Sequence, residues 1–408
     1  MTPAFTSIHY HLRPGGVTEV IRQNHRILTG AGIPHRILCG DNPSELPAIV
    51  EPSLDYESKD APDLFLPSGS VLHFHNPCLG KNPALTTWMG SLAEKGHALI
   101  LQHHDLAEDG RPQNLARLAS VANVYPTGPR IAHAFINHRD RRIFIEAGLA
   151  ETRAILLPNP FDIQPLDPPD QAGPATILHP MRGIPRKNLA ELLLLAACAP
   201  HGTRFLQGSA PANHAWKTLY EAWHVFAREL ALPIDFDCFQ AAGRDSSYAA
   251  SNHLLTTSTH EGFGMIHLEG AGRRRVIGRR IPDLHRDLDG FPQDGLYDGI
   301  IIDGGKDFPD LDADVQRKVI AHPRNHRLEV VCGDSRISLE KWLKDQLALR
   351  DPVEASAGLI RHGDEAHLVR LTRLAMQLLE SPPGTIGSLD RDRILSLYER
   401  PPSAHPTL

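Results

Sequence analysis

The feature that most constrains this chain is an alternation of short apolar runs with amphipathic stretches, met twice along its length and broken once by prolines. Apolar runs bounded by turn residues read as strands, and the longer stretches between them carry the 3.6-residue period of helices. Such alternation selects an α/β domain with a parallel sheet, because parallel neighbours need a helical crossover between them. The first series has strand-like runs at Phe5–His11, His35–Leu38, Val71–His75, Ala98–Gln102 and Val121–Tyr125, with helical stretches at Val17–Thr29 and Leu85–Lys95. It closes with Arg153–Leu157 and the turn Pro158-Asn159-Pro160. The segment DIQPLDPPDQAGPAT then places four prolines in fifteen residues, the composition of an interdomain linker.

A second series follows, with strands at Thr176–His179, Thr203–Leu206, Leu254–Thr257 and Arg275–Ile277 and helices at Asn188–Cys198 and Asn213–Glu229. Beyond about residue 335 strand signals stop, and helical patterns at Leu339–Leu349 and Glu365–Leu379 take over. The expected organisation is a first doubly wound, Rossmann-like domain over 1–165, a second over 166–335, and a helical tail over 336–408 that packs back on the first. In such an architecture a ligand is expected at the carboxyl ends of the strands, in a cleft between the domains.

Composition narrows the partners. A net charge of −6 over 408 residues argues against nucleic acid, whose phosphates select a basic surface. With 41% apolar residues the chain can build sizeable cores, which excludes a disordered polypeptide. The five cysteines (39, 78, 198, 238 and 332) are scattered without CxxC spacing, so neither a disulfide framework nor a structural zinc is expected. A reducing cytoplasm fits them better. The most apolar run, Leu192–Ala199, falls well short of the roughly 20 residues of a spanning helix. No transmembrane segment or secretion signal is expected, and peripheral membrane contact stays open.

The strongest chemical signal is Thr259-His-Glu-Gly-Phe-Gly-Met-Ile-His-Leu-Glu269, directly after an apolar strand. Gly262 and Gly264 let the backbone approach a ligand, and a helix opening there offers unpaired N–H groups suited to phosphate. If the segment between Glu261 and Glu269 were helical, it would separate them by about 12 Å. One carboxylate could then grip a sugar and the other a ribose, with a diphosphate between. The plainer alternative is a solvent-facing glutamate pair that complements a helix dipole.

A second constellation is Arg182-Gly-Ile-Pro-Arg186-Lys187-Asn188, whose three cations at a strand-to-helix turn suit a leaving diphosphate. The alternative is a solvated basic turn. Pro14-Gly15-Gly16-Val17, between the first strand and first helix, reads as a phosphate-approaching loop or as an ordinary tight turn. His103-His104-Asp105 ends a strand, where His104 could orient an acceptor hydroxyl or assist proton movement. The pairs His9/His11 and His73/His75 each share one strand face, yet no carboxylate or cysteine cluster accompanies them. The arginine-rich run Arg273–Arg280 reads as a solvated loop that can lend positive field to a nearby diphosphate.

Taken in order, these segments resemble a retaining glycosyltransferase of the GT-B fold, family 4. PGGVTEVI resembles that family's N-terminal glycine loop, LILQHHD its acceptor-side histidine motif and AILLPNPFD the segment closing its first domain. RGIPRKN resembles the Arg-Lys donor clamp, EGFGMIHLE the E-x7-E motif and VIGRRIPDL the stretch after it. QDGLYDGIIIDGG stands where the family has a DGxLV-like ending, and residues 290–408 carry no further motif.

The resemblance implies a hexosyltransferase that uses a nucleotide-diphosphate sugar, a hydroxyl acceptor and no metal or other cofactor. It assigns Glu261 to the transferred sugar, Gly262, Phe263 and Gly264 to the phosphates and sugar through their backbone, and Glu269 to the ribose. Arg182 and Lys187 would meet the diphosphate, Gly15 and Gly16 would belong to the donor loop, and His104 would lie at the acceptor end. A nucleotide-sugar epimerase of the same fold and a non-catalytic sugar-nucleotide-binding protein are the competing readings. Intact Glu261, Glu269, Arg182 and Lys187 speak against the silent protein, and His104 favours transfer over epimerisation.

Overall fold

The structure, a computed structural model, describes residues 3–161, 173–297, 339–351 and 363–399, apart from 57, 61, 65, 68, 272 and 289. The chain divides into two compact units, Met1–Asp162 with Ile360–Leu408, and Ile163–Leu359. Most of the proline-rich linker and the 298–338 segment lie outside the described residues.

The first unit is built on seven strands: β1 (Ala4–His9), β2 (His35–Cys39), β3 (Ala48–Val50), β4 (Ser70–His75), β5 (Ala98–His103), β7 (Ile131–Phe135) and β8 (Ala154–Leu156). Pro126–Thr127 forms a separate short strand, β6. The sheet order is β3-β2-β1-β4-β5-β7-β8 and every pairing is parallel. From β1 the chain winds outward to β3, then returns to the other side for β4, so the order reverses beside β1. The helix Gly16–Gly30 returns the chain from β1 to β2, burying Val20, Ile21, Ile27 and Leu28 as its 3.6-residue period requires.

The second unit repeats the pattern with β9 (Thr176–Arg182), β10 (Arg204–Ser209), β11 (Ile234–Asp235), β12 (His253–Thr256), β13 (Arg275–Arg279) and β14 (Leu296–Tyr297). Its order is β11-β10-β9-β12-β13-β14, again all parallel, and it reverses between β9 and β12. The helix Leu189–Ala197, with sequence LAELLLLAA, is apolar nearly all round and is buried from Leu189 to Ala196. A helix without a polar face must lie inside, and this one is the centre of the second unit's core.

The described tail is divided: helix Leu339–Leu347 seats Leu343 and Leu347 in the second unit's core, and the residues from 363 onward belong to the first unit. Helix Asp364–Glu380 buries Leu371, Leu374, Ala375 and Leu378 against Phe5, Val71, Ala98 and Ile100 of the sheet. Arg26 of the first helix binds Asp364 through both terminal nitrogens at 2.7 Å. Gly387–Ser388 (β15) then pairs antiparallel with β6, and the helix Arg391–Tyr398 seats Ile394 in the first unit's core.

Two expectations are corrected here. Val121–Tyr125 is no strand; the strand is Ile131–Phe135, whose IAHAF sequence hides its character behind a histidine. That His133 is fully buried, taking Pro126 O at 2.9 Å and His103 Nε2 at 3.0 Å as partners, so the polar side chain costs the strand little. Arg273–Arg280 is not a solvated loop either. It is largely β13, in keeping with the strand expected at Arg275–Ile277; Arg274 and Arg279 are buried with partners inside, and the buried Arg275 pairs with the exposed Asp294.

All four described cysteines are free and buried. Among the described residues, no helix is long and apolar enough to cross a membrane.

Candidate active site

In open parallel sheets, ligands gather beyond the carboxyl ends of the strands where the strand order reverses. In the second unit that point lies between β9 and β12, and the two strongest sequence motifs leave those two strands. After β9 the chain passes Gly183, where a Cβ would lie 2.1 Å from the Tyr220 ring, so only glycine allows this approach. It then makes a single 3-10 turn, Pro185–Lys187, and reaches Asn188 in the left-handed region with φ 52°.

The two loops are laced together by their backbones. Thr259 N donates to Arg186 O at 3.0 Å, and Thr257 Oγ1 donates to Lys187 O at 2.7 Å. Their side chains then meet at Glu261. Lys187 Nζ donates to one carboxylate oxygen and Arg186 Nη1 to the other at 3.0 Å, while Arg186 also reaches His260 O at 3.2 Å. The Lys187 and Glu261 side chains are about nine-tenths buried, whereas that of Arg186 is 42% exposed. Burial alone would raise the Glu261 pKa, but the charges of Lys187 and Arg186 outweigh it and bring it down to about 2. Burial pushes the Lys187 pKa below its ordinary value, an effect opposed by Glu261. His179 lies beneath, hydrogen-bonded to Thr257 Oγ1 at 3.2 Å, and burial with the nearby Lys187 charge lowers its pKa to about 3.

Beyond Glu261 only Met265–Gly270 is helical, so the spacing to Glu269 is not the rise of eight helical residues expected from sequence. Gly264 accounts for the break. It sits at φ 73°, and a Cβ there would stand 2.9 Å from Leu284 Cδ2. The ring of Phe263 is buried, so any ligand contact from Gly262, Phe263 and Gly264 falls to the backbone. Glu269 accepts from Arg244 Nη2 at 2.5 Å and from the Tyr248 hydroxyl. Arg244 in turn lies over the rings of Tyr248 and Phe239, with its central carbon 5.2 and 5.4 Å from their centroids. Neither Arg244 nor Tyr248 belongs to a motif, and only tertiary folding brings them to Glu269. Arg182 ends β9 with its side chain exposed, its carbonyl accepting from Ile184 N at 2.8 Å.

The remaining sequence candidates lie in the first unit. Gly15 and Gly16 are exposed at the start of the helix Gly16–Gly30, which has no side-chain cap, and a Cβ at Gly16 would meet nothing within 4 Å. His104 is buried at the end of β5, stacked on His75 with Nδ1 of His75 and Nε2 of His104 3.1 Å apart. Burial, together with neighbouring histidines, lowers its pKa to about 3, so the ring is neutral near pH 7. Asp105 is turned away to Arg111, and Asn76 rather than a carboxylate organises the His104-Asp105 backbone at 2.7 and 3.0 Å.

Of the paired histidines, His9, His73 and His75 are tied into the sheet, whereas His11 lies beyond the end of β1 and accepts from Arg13 N at 3.2 Å, so His9 and His11 do not share a strand face. His9 Nδ1 meets His75 O at 2.9 Å and His73 Nε2 meets Gln102 Oε1 at 2.8 Å. Among the described residues, no three His, Cys, Asp or Glu side chains come together as a metal site would need.

No protein-family model matches the chain. It is similar to the mannosylglucosyl-3-phosphoglycerate synthase of Petrotoga mobilis, at 26% identity over 358 residues, covering 72% of this chain and 68% of that protein. Among solved structures it resembles Anabaena HepE in complex with UDP and glucose, with a TM-score of 0.53 at 14% identity, covering 88% of this chain and 98% of HepE. AviGT4, a glycosyltransferase of avilamycin A biosynthesis, matches with a TM-score of 0.53 at 14% identity over 94% of this chain and 99% of its own. The two parallel sheets, each reversing its strand order, thus have the GT-B-like fold of glycosyltransferases.

Proposed function

We propose that the protein is a glycosyltransferase that moves a hexosyl unit from a nucleotide-diphosphate sugar to a hydroxyl acceptor with retention of configuration. One observation carries this reading. Lys187 and Arg186 from the end of β9 and Glu261 from the end of β12 converge where a parallel sheet reverses its order. The similarity to a sugar phosphoglycerate synthase, and to a fold whose relative HepE is seen with UDP and glucose, supports it.

In this reading the donor's diphosphate competes with the Glu261 carboxylate for Lys187 and Arg186, and Arg182 adds a third cation from the end of β9. The released Glu261 then faces the transferred sugar, and Glu269, preset by Arg244 and Tyr248, receives the ribose. The bond from the sugar's anomeric carbon to the phosphate oxygen breaks and its electrons stay with the diphosphate. The acceptor oxygen bonds to that carbon from the same face, and its proton passes to the departing phosphate. No protein nucleophile takes part.

Cations fixed before the reaction stabilise developing phosphate charge without a divalent metal. Backbone groups of Gly262, Phe263 and Gly264 add donors. On the acceptor side His104, neutral by virtue of its burial, offers a hydrogen-bonding ring, and Gly15 and Gly16 open the first helix for approach to the donor. Four buried free cysteines fit a cytoplasmic enzyme.

A thermal-shift panel of UDP-, GDP- and ADP-sugars tests the reading. A ligand at a hundred times its Kd stabilises by about 2.7 kcal/mol, and silence across the panel would sink the proposal.

A further inference from the structure

We infer that Glu191 is a positioning residue for Lys187, acting as the hub of a buried charged network that ties the turn 185–188 to the end of β13. The inference rests on the donor reading, because it is the diphosphate that gives Lys187 its task.

Glu191 is the one charged residue in the helix LAELLLLAA, and it is fully buried. A leucine at 191 would suit the helix as its neighbours do. An ion pair in such surroundings pays desolvation that well-packed apolar side chains avoid, so packing alone does not account for a carboxylate here. The partners indicate that role. Arg279, at the carboxyl end of β13, donates to Glu191 Oε2 from Nε at 3.1 Å and from Nη2. The buried Tyr297 hydroxyl, from β14, donates to Oε1. Asn188 Nδ2 donates to Oε2 at 2.7 Å. Two strands distant in sequence and the turn just before the helix therefore converge on one carboxylate.

Asn188 is the connection to chemistry. It follows Lys187 directly and holds a left-handed conformation at φ 52°, ψ 62°, which asparagine adopts more readily than most non-glycine residues and which its side-chain bond to Glu191 fixes here. Its side chain is held by Glu191, and its carbonyl accepts from Glu191 N at 3.1 Å. On the other side, the Lys187 carbonyl is held by Thr257 Oγ1 at 2.7 Å. Lys187 thus hangs between two anchors, one just past β12 and one on the Glu191 network, with its ammonium at Glu261. Glu191 touches neither Glu261 nor the expected ligand. Its reach is through the backbone of Asn188.

The test is a double-mutant cycle read by calorimetry, with whichever of UDP, GDP and ADP binds the wild-type chain most tightly. Glu191→Gln is measured in the wild-type and in the Lys187→Ala background, with circular dichroism and Tm to verify folding. Losing a hydrogen bond to a charged group costs about tenfold or more in affinity. Expected is a loss of about tenfold in the wild-type background and of less than about twofold once Lys187 is gone, the non-additivity of residues acting through one another. Tyr297→Phe keeps the ion pair and deletes a single hydrogen bond, so it decides the matter if Glu191→Gln does not fold. Its expected loss is about threefold, again confined to chains that carry Lys187. Equal losses in both backgrounds, or no loss in the wild type, overturn the inference alone. If none of the three nucleotides binds the wild-type chain, the donor reading falls and the inference falls with it.

Discussion

Lys187 and Glu261 lie 74 residues apart in sequence and form a buried ion pair at the ends of two adjacent parallel strands. Arg186 holds the second Glu261 oxygen from the surface side. One carboxylate between two cations leaves the cluster with net positive charge. That is the electrostatic condition for receiving an anion.

The two glutamates should separate cleanly by experiment. Glu261→Gln is expected to lower turnover while leaving nucleoside diphosphate affinity unchanged or tighter, since it removes a competitor for Lys187 and Arg186. Glu269→Ala is expected to weaken the same nucleotide by about tenfold, the cost of a charged hydrogen-bond partner. Calorimetry with the diphosphate decides, and equal weakening by both variants contradicts the assignment.

Arg182 and Lys187 are expected to act on the departing charge, so their loss should lower kcat more than donor affinity. Removing one preorganised partner of developing charge costs on the order of 3 kcal/mol, or about a hundredfold in rate. Single-turnover rates of Arg182→Ala and Lys187→Ala measure this. A variant within threefold of wild type takes that residue out of the mechanism.

Turnover is expected to survive exhaustive EDTA treatment. The groups converging at the expected diphosphate position include the cations Lys187 and Arg186, whereas hard divalent ions seek oxygen ligands. Metal analysis and assays before and after chelation check the point. Activity lost and then restored by one ion would mean the cationic turn has another purpose.

The first unit should be sensitive to mild acid. Burial depresses the pKa values of His9, His35 and His104 to about 3, and of His73 and His133 to about 4. These rings stay neutral in the folded chain but take up protons near pH 6.5 when unfolded. Protons therefore favour the unfolded state: the stability is complete above about pH 6.5 and is lost progressively as pH falls toward 3–4. Each such ring costs about 1.4 kcal/mol per pH unit in that window. Urea unfolding at pH 7.5 and 5.5 should show the midpoint falling steeply, and a flat profile would refute the idea.

Helix Asp364–Glu380 should be integral to the first unit rather than an ornament. Leu371 is fully buried against the sheet, and Leu371→Ala should cost about 2–5 kcal/mol by opening a cavity. Chemical denaturation of the full chain measures it. A loss below about 0.5 kcal/mol would mean the helix is peripheral.

What the sequence determined by itself is what local periodicity and turn chemistry encode. The strands at Val71–His75 and Ala98–Gln102, the helix over Val17–Thr29 and the glycine-rich turn at Gly262–Gly264 each announce themselves within a dozen residues, and the structure has all of them. The parallel α/β class followed from their alternation. Strand Ile131–Phe135 escaped because a histidine satisfied by distant partners looks, in sequence, like a polar interruption. The arginines of β13 read as solvated for the same reason, since the Glu191 that admits Arg279 to the interior lies 88 residues away. Arg244 and Tyr248 are joined to Glu269, and Lys187 to Glu261, only when the sheet sets their loops side by side. Periodicity reports which face of an element is apolar. It carries no information on which polar group will meet which, because a buried charge is tolerated only when folding supplies its partner.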